Sequence, residues 1–301
     1  MSFPLHHPFR SEAARARFLE RYREAAERLP VRCDERFVDT SLGQTFVRSA
    51  GPEGAPPLVL LHGVSGSSLM WGANLPDLAE HFRVHAVDGI HDCGRSVYSR
   101  LAKDGDELAD WLGEVLDGLE IPRGVRLAGL SYGGWIAALF ARRHPERLAA
   151  LVLLAPAMTV LPISAVWIAR AVACALPGRF STDSFMRWLL ADTAAQGEAG
   201  ARIVAEWAET SRLSMQCFAR KPLLSPTLLT DEELAGLEVP TLFLVGENEK
   251  LYPAAQALAR LERVAPRIER ALIPGAGHDL TLAQTALVDG KIVEFLRRVG
   301  G

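Results

Sequence analysis

The segment Gly129-Leu130-Ser131-Tyr132-Gly133 fits the pattern G-x-S-x-G, and its neighbours put the pattern where it can do chemistry. Val125 to Leu130 is a short apolar run expected to form a buried strand, and the residues from Tyr132 to Ala141 have the patterning of a helix. A strand that passes into a helix through one serine must turn sharply, which leaves the hydroxyl at the tip of the turn. Flanking glycines spare the neighbouring backbone a clash. The turn also aims the first N–H groups of the helix, with their partial positive charge, at the oxygen of a reacting carbonyl. Ser131 is therefore a candidate nucleophile for acyl transfer, with the Tyr132 N–H as one oxyanion donor. The plain alternative is a tight structural turn.

Such a nucleophile needs a base, and the base needs an orienting acid. His278 follows Gly275-Ala276-Gly277 directly after the last expected strand. A histidine in a glycine-rich loop can swing its ring over the sheet edge and accept the serine proton. The loop Gly246-Glu247-Asn248-Glu249-Lys250-Leu251-Tyr252-Pro253 follows the preceding strand and offers two carboxylates. The spacing G-x-x-[DE] puts the acid at Glu249, with Glu247 as the second candidate. His62-Gly63-Val64 follows another strand and can present the Val64 N–H as the second oxyanion donor. His62 itself is expected to brace that loop rather than act as a second base. The chain order Ser131, Glu249, His278 is serine, acid, histidine.

All four sites fall at the carboxyl ends of expected strands, where open α/β sheets place their ligands. Continuous apolar runs at Leu58–Leu61, Val84–Val87, Val125–Leu130, Ala149–Leu154 and Pro240–Val245 suit strands buried on both faces. Helical patterns separate them, notably at Asp104–Leu119, Trp135–Arg143 and Ala254–Val264. A strand at Ala271–Ile273 and a closing helix to Arg298 finish the chain. Before the runs come an amphipathic helix capped at Ser11, with Phe18, Tyr22, Ala25 and Leu29 on one face, and a hairpin. The hairpin pairs Arg36–Thr40 with Thr45–Arg48 through Ser41-Leu42-Gly43-Gln44.

Such alternation predicts an α/β fold with a mostly parallel sheet flanked by helices. Between Pro156 and Leu229 the periodicity is helical throughout. Residues 156–229 are therefore expected to be an inserted helical cap, and residues 1–155 and 230–301 the core domain. Trp167, Trp188 and Trp207 of the cap, and Trp71 after the His-Gly turn, are candidate substrate-lining residues. Each could equally be core.

The chain has 301 residues, 49% of them hydrophobic, enough to bury a large core. A net charge of −3 gives no reason to expect nucleic acid or an anionic membrane as partner. The four cysteines, Cys33, Cys93, Cys174 and Cys217, form no C-x-x-C pair, which argues against a zinc site and fits a reducing cytoplasm. The start of the chain lacks a basic segment followed by an apolar one, so no signal peptide is expected. Cys93 lies near a strand end but has no specified histidine partner and is read as packing.

With these residues assembled, the chain resembles the α/β-hydrolases from Pro57 to Leu296, and more narrowly the bacterial carboxylesterases of the naproxen-esterase type. Supporting stretches are Asp88-Gly89-Ile90-His91-Asp92-Cys93-Gly94-Arg95-Ser96, Thr230-Asp231-Glu232-Glu233-Leu234 and Gly246-Glu247-Asn248-Glu249. The chain departs from the pattern in two places. Many relatives carry D-x-x-G-x-G-x-S where His91-Asp92-Cys93 interrupts here, and most have aspartate in the position of Glu249. The resemblance implies a serine hydrolase acting on small-molecule esters with an apolar portion, needing no metal or organic cofactor. C–C bond hydrolases, lactonases, amidases and aminopeptidases share such a triad. A ligand-binding receptor on the same fold is the alternative from a different class. The oligomeric state is not readable.

Overall fold

The computed structural model describes residues 4–174, 179–219 and 223–299. Its frame is one sheet built from β1 (Asp34–Thr40), β2 (Gly43–Ala50), β3 (Pro57–Leu61), β4 (Arg83–Val87), β5 (Val97–Tyr98), β6 (Val125–Leu130), β7 (Leu148–Leu154), β8 (Thr241–Gly246) and β9 (Glu269–Ile273). The spatial order is β1-β2-β4-β3-β6-β7-β8-β9, with β5 paired to β2. β1, β2 and β4 pair antiparallel, whereas every pairing from β4 and β3 through to β9 is parallel.

The unbroken apolar runs are explained by this placement. Along β3, Val59 and Leu61 point into one core cluster while Leu58 and Leu60 point into the other. On β7, Leu151 and Leu153 alternate in the same way with Val152 and Leu154. A strand covered on both faces has no solvent side, so its sequence loses the polar alternation of a half-exposed strand.

Helices cover both faces. They are α1 (Glu12–Glu27), α2 (Leu75–Ala79), α3 (Gly105–Gly118), α4 (Tyr132–Arg143), α5 (Ala165–Cys174), α6 (Arg179–Leu189), α7 (Ala191–Ala194), α8 (Gly197–Cys217), α9 (Asp231–Ala235), α10 (Ala254–Val264), α11 (Leu280–Ala283) and α12 (Thr285–Val299). Ser11 caps α1 through the Ala14 N–H, and Asp104 caps α3 through the Glu107 N–H. Each side-chain oxygen satisfies an N–H that the first helical turn leaves without a partner. Trp111 and Trp135 anchor the cluster under α3 and α4, and Phe295 and Leu296 of α12 close the other. Among the described residues no helix is long and apolar enough to cross a membrane.

The observed elements differ from the sequence expectation in three places. The hairpin turn closes over Ser41 and Leu42 alone, because Gly43 already pairs with Thr40. Gly43 has φ +136°, and a Cβ there would meet the Val97 carbonyl oxygen at 2.2 Å, so only glycine lets β5 approach. The short strand β5 has too few residues to show a period. In the block between β7 and β8, helices run from Ala165 to Cys217, flanked by irregular segments that contain Pro156, Pro162 and Pro226. Residues 175–178 and 220–222 of that block lie outside the described residues.

One buried acid sits apart from the candidate site. Asp289 on α12 accepts a hydrogen bond from Asn74 Nδ2 at 2.8 Å, and Asn74 also donates to the Thr281 carbonyl at 3.2 Å. Asp289 Oδ2 and Asn74 Oδ1 have no partner among the described residues. Burial pushes the Asp289 carboxyl up to about 7, against the Asn74 hydrogen bond and with help from the charge of Asp77. Between roughly pH 4 and the folded value near 7, the unfolded chain has lost this proton and the folded chain keeps it. Stability therefore falls as pH rises through that window and stays reduced above it. Asp289→Asn should raise the urea midpoint at pH 8 by more than at pH 5, by a difference on the order of 2 kcal/mol in unfolding free energy. Equal shifts at the two pH values would refute the assignment.

Candidate active site

Ser131 stands between β6 and α4 with φ 55° and ψ −115°. A non-glycine residue in that region costs about 1–3 kcal/mol and persists only where its surroundings over-determine it. They do so here. The Ser131 N–H donates to the Leu154 carbonyl at 2.9 Å, and the Ser131 carbonyl accepts from the N–H groups of Trp135 and Ala157. Backbone approach around the turn leaves no room for side chains at its glycines. A Cβ at Gly129 would lie 2.3 Å from the Gly133 oxygen, and one at Gly133 would lie 2.4 Å from the Leu61 oxygen. The pattern G-x-S-x-G is thus a packing requirement that α4 imposes against β6 and β3.

The acid and the histidine come together across two loops. His278 Nδ1 lies 3.0 Å from Glu249 Oε1 and 3.1 Å from Oε2. The Glu249 side chain is fully buried and that of His278 is 9% exposed. Glu249 Oε1 also accepts the N–H groups of Lys250 at 2.7 Å and Leu251 at 2.8 Å. These donors occupy carboxylate lone pairs that burial would otherwise leave unmatched. The loops touch at backbone level, since a Cβ at Gly246 would sit 2.3 Å from the carbonyl oxygens of Ala276 and Gly277. Glu247, by contrast, is exposed and, among the described residues, accepts from the Gly275 N–H at 3.2 Å. With its Nδ1 proton facing Glu249, the His278 ring keeps Nε2 as the basic nitrogen.

His62 is held on both sides. Its Nε2 accepts from the Gly89 N–H at 2.8 Å, so its Nδ1 carries the proton and donates to the Gly63 carbonyl at 2.8 Å. With both nitrogens occupied, the ring braces the turn that follows β3. That turn lies against Ser131, because a Cβ at Gly63 would be 3.3 Å from the Ser131 Cβ. Tyr132, the first residue of α4, donates its phenol to the Leu224 carbonyl at 3.1 Å. Burial first, and the Asp92 charge second, push that phenol well above its ordinary range, so it stays neutral.

Ser131, His278, Gly63 and Val64 line one cavity of about 690 Å³. That is within the range of small-molecule sites. Trp167 and Trp207 line it as well. Trp71 and Trp188 do not. Trp71 is fully buried in the core with Leu75 and Leu78, and Trp188 packs against Phe185 and under the Arg170 guanidinium, 4.7 Å from the ring centre. A large flat ring next to a site is as readily drawn into the neighbouring core.

Sequence reasoning missed one wall of this cavity. Phe18 and Ala25 on the apolar face of α1, with Leu29 just beyond its end, line it together with residues of α6 and α8. The face itself was legible as a stripe, but its docking site beside Ser131 was not. Two further contacts tie the helical block to the loops of the site. Asp279, next to His278, accepts from the N–H and hydroxyl of Thr193 on α7 at 2.8 and 2.7 Å. Asn248, next to Glu249, donates to Asp192 at 2.8 Å. Adjacency to the histidine and the acid was their only sequence signal. Among the described residues no group of histidine, cysteine and acidic side chains could hold a metal ion.

Comparison with known proteins bears on the fold and the family. The alpha/beta hydrolase fold family matches residues 56–282. A Bacillus subtilis protein described as the uncharacterized carboxylesterase nap is 34% identical over 289 residues, covering 95% of this chain and 94% of that one. The carboxylesterase YbfK of the same organism is 32% identical, covering 93% of each. The crystal structure of naproxen esterase (carboxylesterase NP) from Bacillus subtilis superposes with a TM-score of 0.86 at 33% identity, covering 95% of this chain and 99% of that one. α1 lies outside the family match, although it supplies a cavity wall.

The two carboxylates of the acid loop are separable by experiment. Glu249→Gln should lower kcat for a simple aryl ester by roughly 10²- to 10⁴-fold, since the orienting charge of the histidine is lost. Glu247→Gln should lose at most about tenfold, because its single contact stays within the loops. Kinetics alongside thermal melts of both variants check this, and the reverse order of effects would reassign the acid.

Proposed function

This chain belongs to the alpha/beta hydrolase fold family, and we propose that within it the chain is a carboxylesterase that works through an acyl-enzyme on Ser131. The observation that carries this reading is the buried Glu249–His278 pair whose histidine lines the same cavity as a serine held at φ 55°. Ser131 Oγ attacks the ester carbonyl carbon while His278 Nε2 takes its proton. Glu249 keeps the ring in the right tautomer and stabilises the imidazolium as it forms. The N–H groups of Val64 and Tyr132 receive the oxyanion. Two fixed donors at that position are worth far more in a closed apolar site than in water. The tetrahedral intermediate collapses, His278 gives its proton to the departing alcohol, and the acyl group remains on Ser131. Water, deprotonated by His278, then attacks the acyl-enzyme and releases the acid.

The cavity favours an ester with a bulky apolar portion. Its walls are Phe18 from α1, Leu29 just beyond that helix, Trp167 from α5, Phe185 from α6 and Trp207 from α8. In this reading residues 156–229 form a cap over a core made of residues 1–155 and 230–301, with α1 as the facing wall. The substrate is a small molecule, and the four cysteines, which form no disulfide, suit a cytoplasmic enzyme.

A fluorophosphonate probe should add to Ser131 and to no other residue, as read by mass spectrometry of the labelled peptide. Ser131→Ala should reduce ester turnover by roughly 10³-fold or more and abolish labelling. Label on another residue, or none on folded protein, rules the proposal out. Trp167→Ala or Trp207→Ala should change the ranking of acyl groups in a panel of aryl esters. Trp71→Ala should instead cost about 3–5 kcal/mol of stability. Unchanged selectivity in both cap variants would move the acyl site away from this cavity.

A further inference from the structure

We propose that Asp92 is a positioning residue for the second oxyanion donor, acting through the backbone of Ser65. The inference rests on the esterase reading above and adds a residue to its machinery. Ser65 follows Val64 directly and has φ 61°, a left-handed conformation in which a serine is not held without help. Its N–H donates to both oxygens of the Asp92 carboxylate, at 3.0 and 2.8 Å. Asp92 Oδ1 accepts the Cys93 N–H as well, at 2.8 Å, and the side chain is almost fully buried.

The turn that carries Val64 is therefore pinned at both ends by the loop following β4. His62 is fixed at one end by the Gly89 N–H, and Ser65 at the other by Asp92. Between those pins, Gly63 lies against the Ser131 Cβ and Val64 faces the cavity. A peptide whose neighbours on both sides are fixed cannot rotate freely, so the direction of the Val64 N–H is set before any substrate binds. Preorganisation of this kind gives a donor its value, because no reorganisation accompanies charge development. Asp92 falls within His91-Asp92-Cys93, where the sequence breaks a glycine-rich pattern. Glycine at position 92 would offer no acceptor to Ser65.

Three consequences separate positioning from a merely structural role. Asp92→Ala removes both acceptors and frees the turn, so kcat should fall by about tenfold to hundredfold, less than deletion of a donor outright. KM should stay within about threefold, since an interaction made only in the transition state is affected. Affinity for an aryl boronic acid, which becomes tetrahedral on the serine, should weaken by the same factor as kcat. Asp92→Asn keeps a carbonyl oxygen for the Ser65 N–H and should lose no more than about threefold in either measure.

Fluorophosphonate labelling of Ser131 in wild-type protein is the control. If wild-type protein is not labelled there, the esterase reading fails, and with it this proposal. Normal labelling together with wild-type kcat and boronate affinity in Asp92→Ala overturns the proposal alone. A fall in thermal stability with no change in kcat does the same. Should Asp92→Ala fail to fold, Asp92→Asn decides, and a loss beyond tenfold in kcat with unchanged boronate affinity overturns the inference.

Discussion

The backbone of Ser131 occupies a conformation that an L-residue adopts only under constraint, and most of the molecule can be understood as what supplies that constraint. β6 has to lie between β3 and β7 so that the Ser131 N–H finds the Leu154 carbonyl. α4 has to start close enough to β3 that no side chain fits at Gly133. Burial of β6 on both faces holds the strand rigid beneath the turn, since all six of its residues are buried. The strain of about 1–3 kcal/mol is small beside this packing. Its return is a serine that lines the cavity at the start of α4.

The second constraint is electrostatic. A carboxylate removed from water destabilises the fold unless every lone pair is occupied or the charge is paired. Glu249 meets this with two backbone N–H groups and the His278 ring. Those bonds fix two things together: the path of the acid's loop and the orientation of the histidine ring. The longer side chain of glutamate is accommodated because it curls back onto the amides of Lys250 and Leu251, which are one and two residues further on.

Asp88 plays the corresponding part in another loop near Ser131. It is fully buried and accepts from the Tyr22 hydroxyl at 3.0 Å, the Ser68 N–H at 2.6 Å and the Arg95 N–H at 2.7 Å. One carboxylate thereby joins α1, the segment after the Val64 turn and the loop following β4. This explains how a helix far from Ser131 in the chain becomes a wall of its cavity. Phe9, Phe18 and Phe218 form a small aromatic cluster where α1 meets the end of α8, which joins that wall to the helical block.

Much of this was legible in the residues alone, for local reasons. A strand buried on both faces must be apolar throughout, so β3, β6, β7 and β8 announce themselves as unbroken runs. A strand-to-helix turn through a serine needs glycine where backbone meets backbone, so Gly129 and Gly133 mark Ser131. Spacing from Gly246 separated Glu249 from Glu247 because each loop position has its own reach. Residues whose roles depend on distant chain were beyond such reading. Trp71 and Trp188 look the same in the sequence as Trp167 and Trp207, and only packing puts the latter two on the cavity. The stripe on α1 has a period but no address. Asp92 is an ordinary loop acid until the turn after β3 folds back to meet it. Periodicity and turn chemistry are properties of neighbours along the chain, whereas a cavity wall is made by segments that meet only after the sheet has formed.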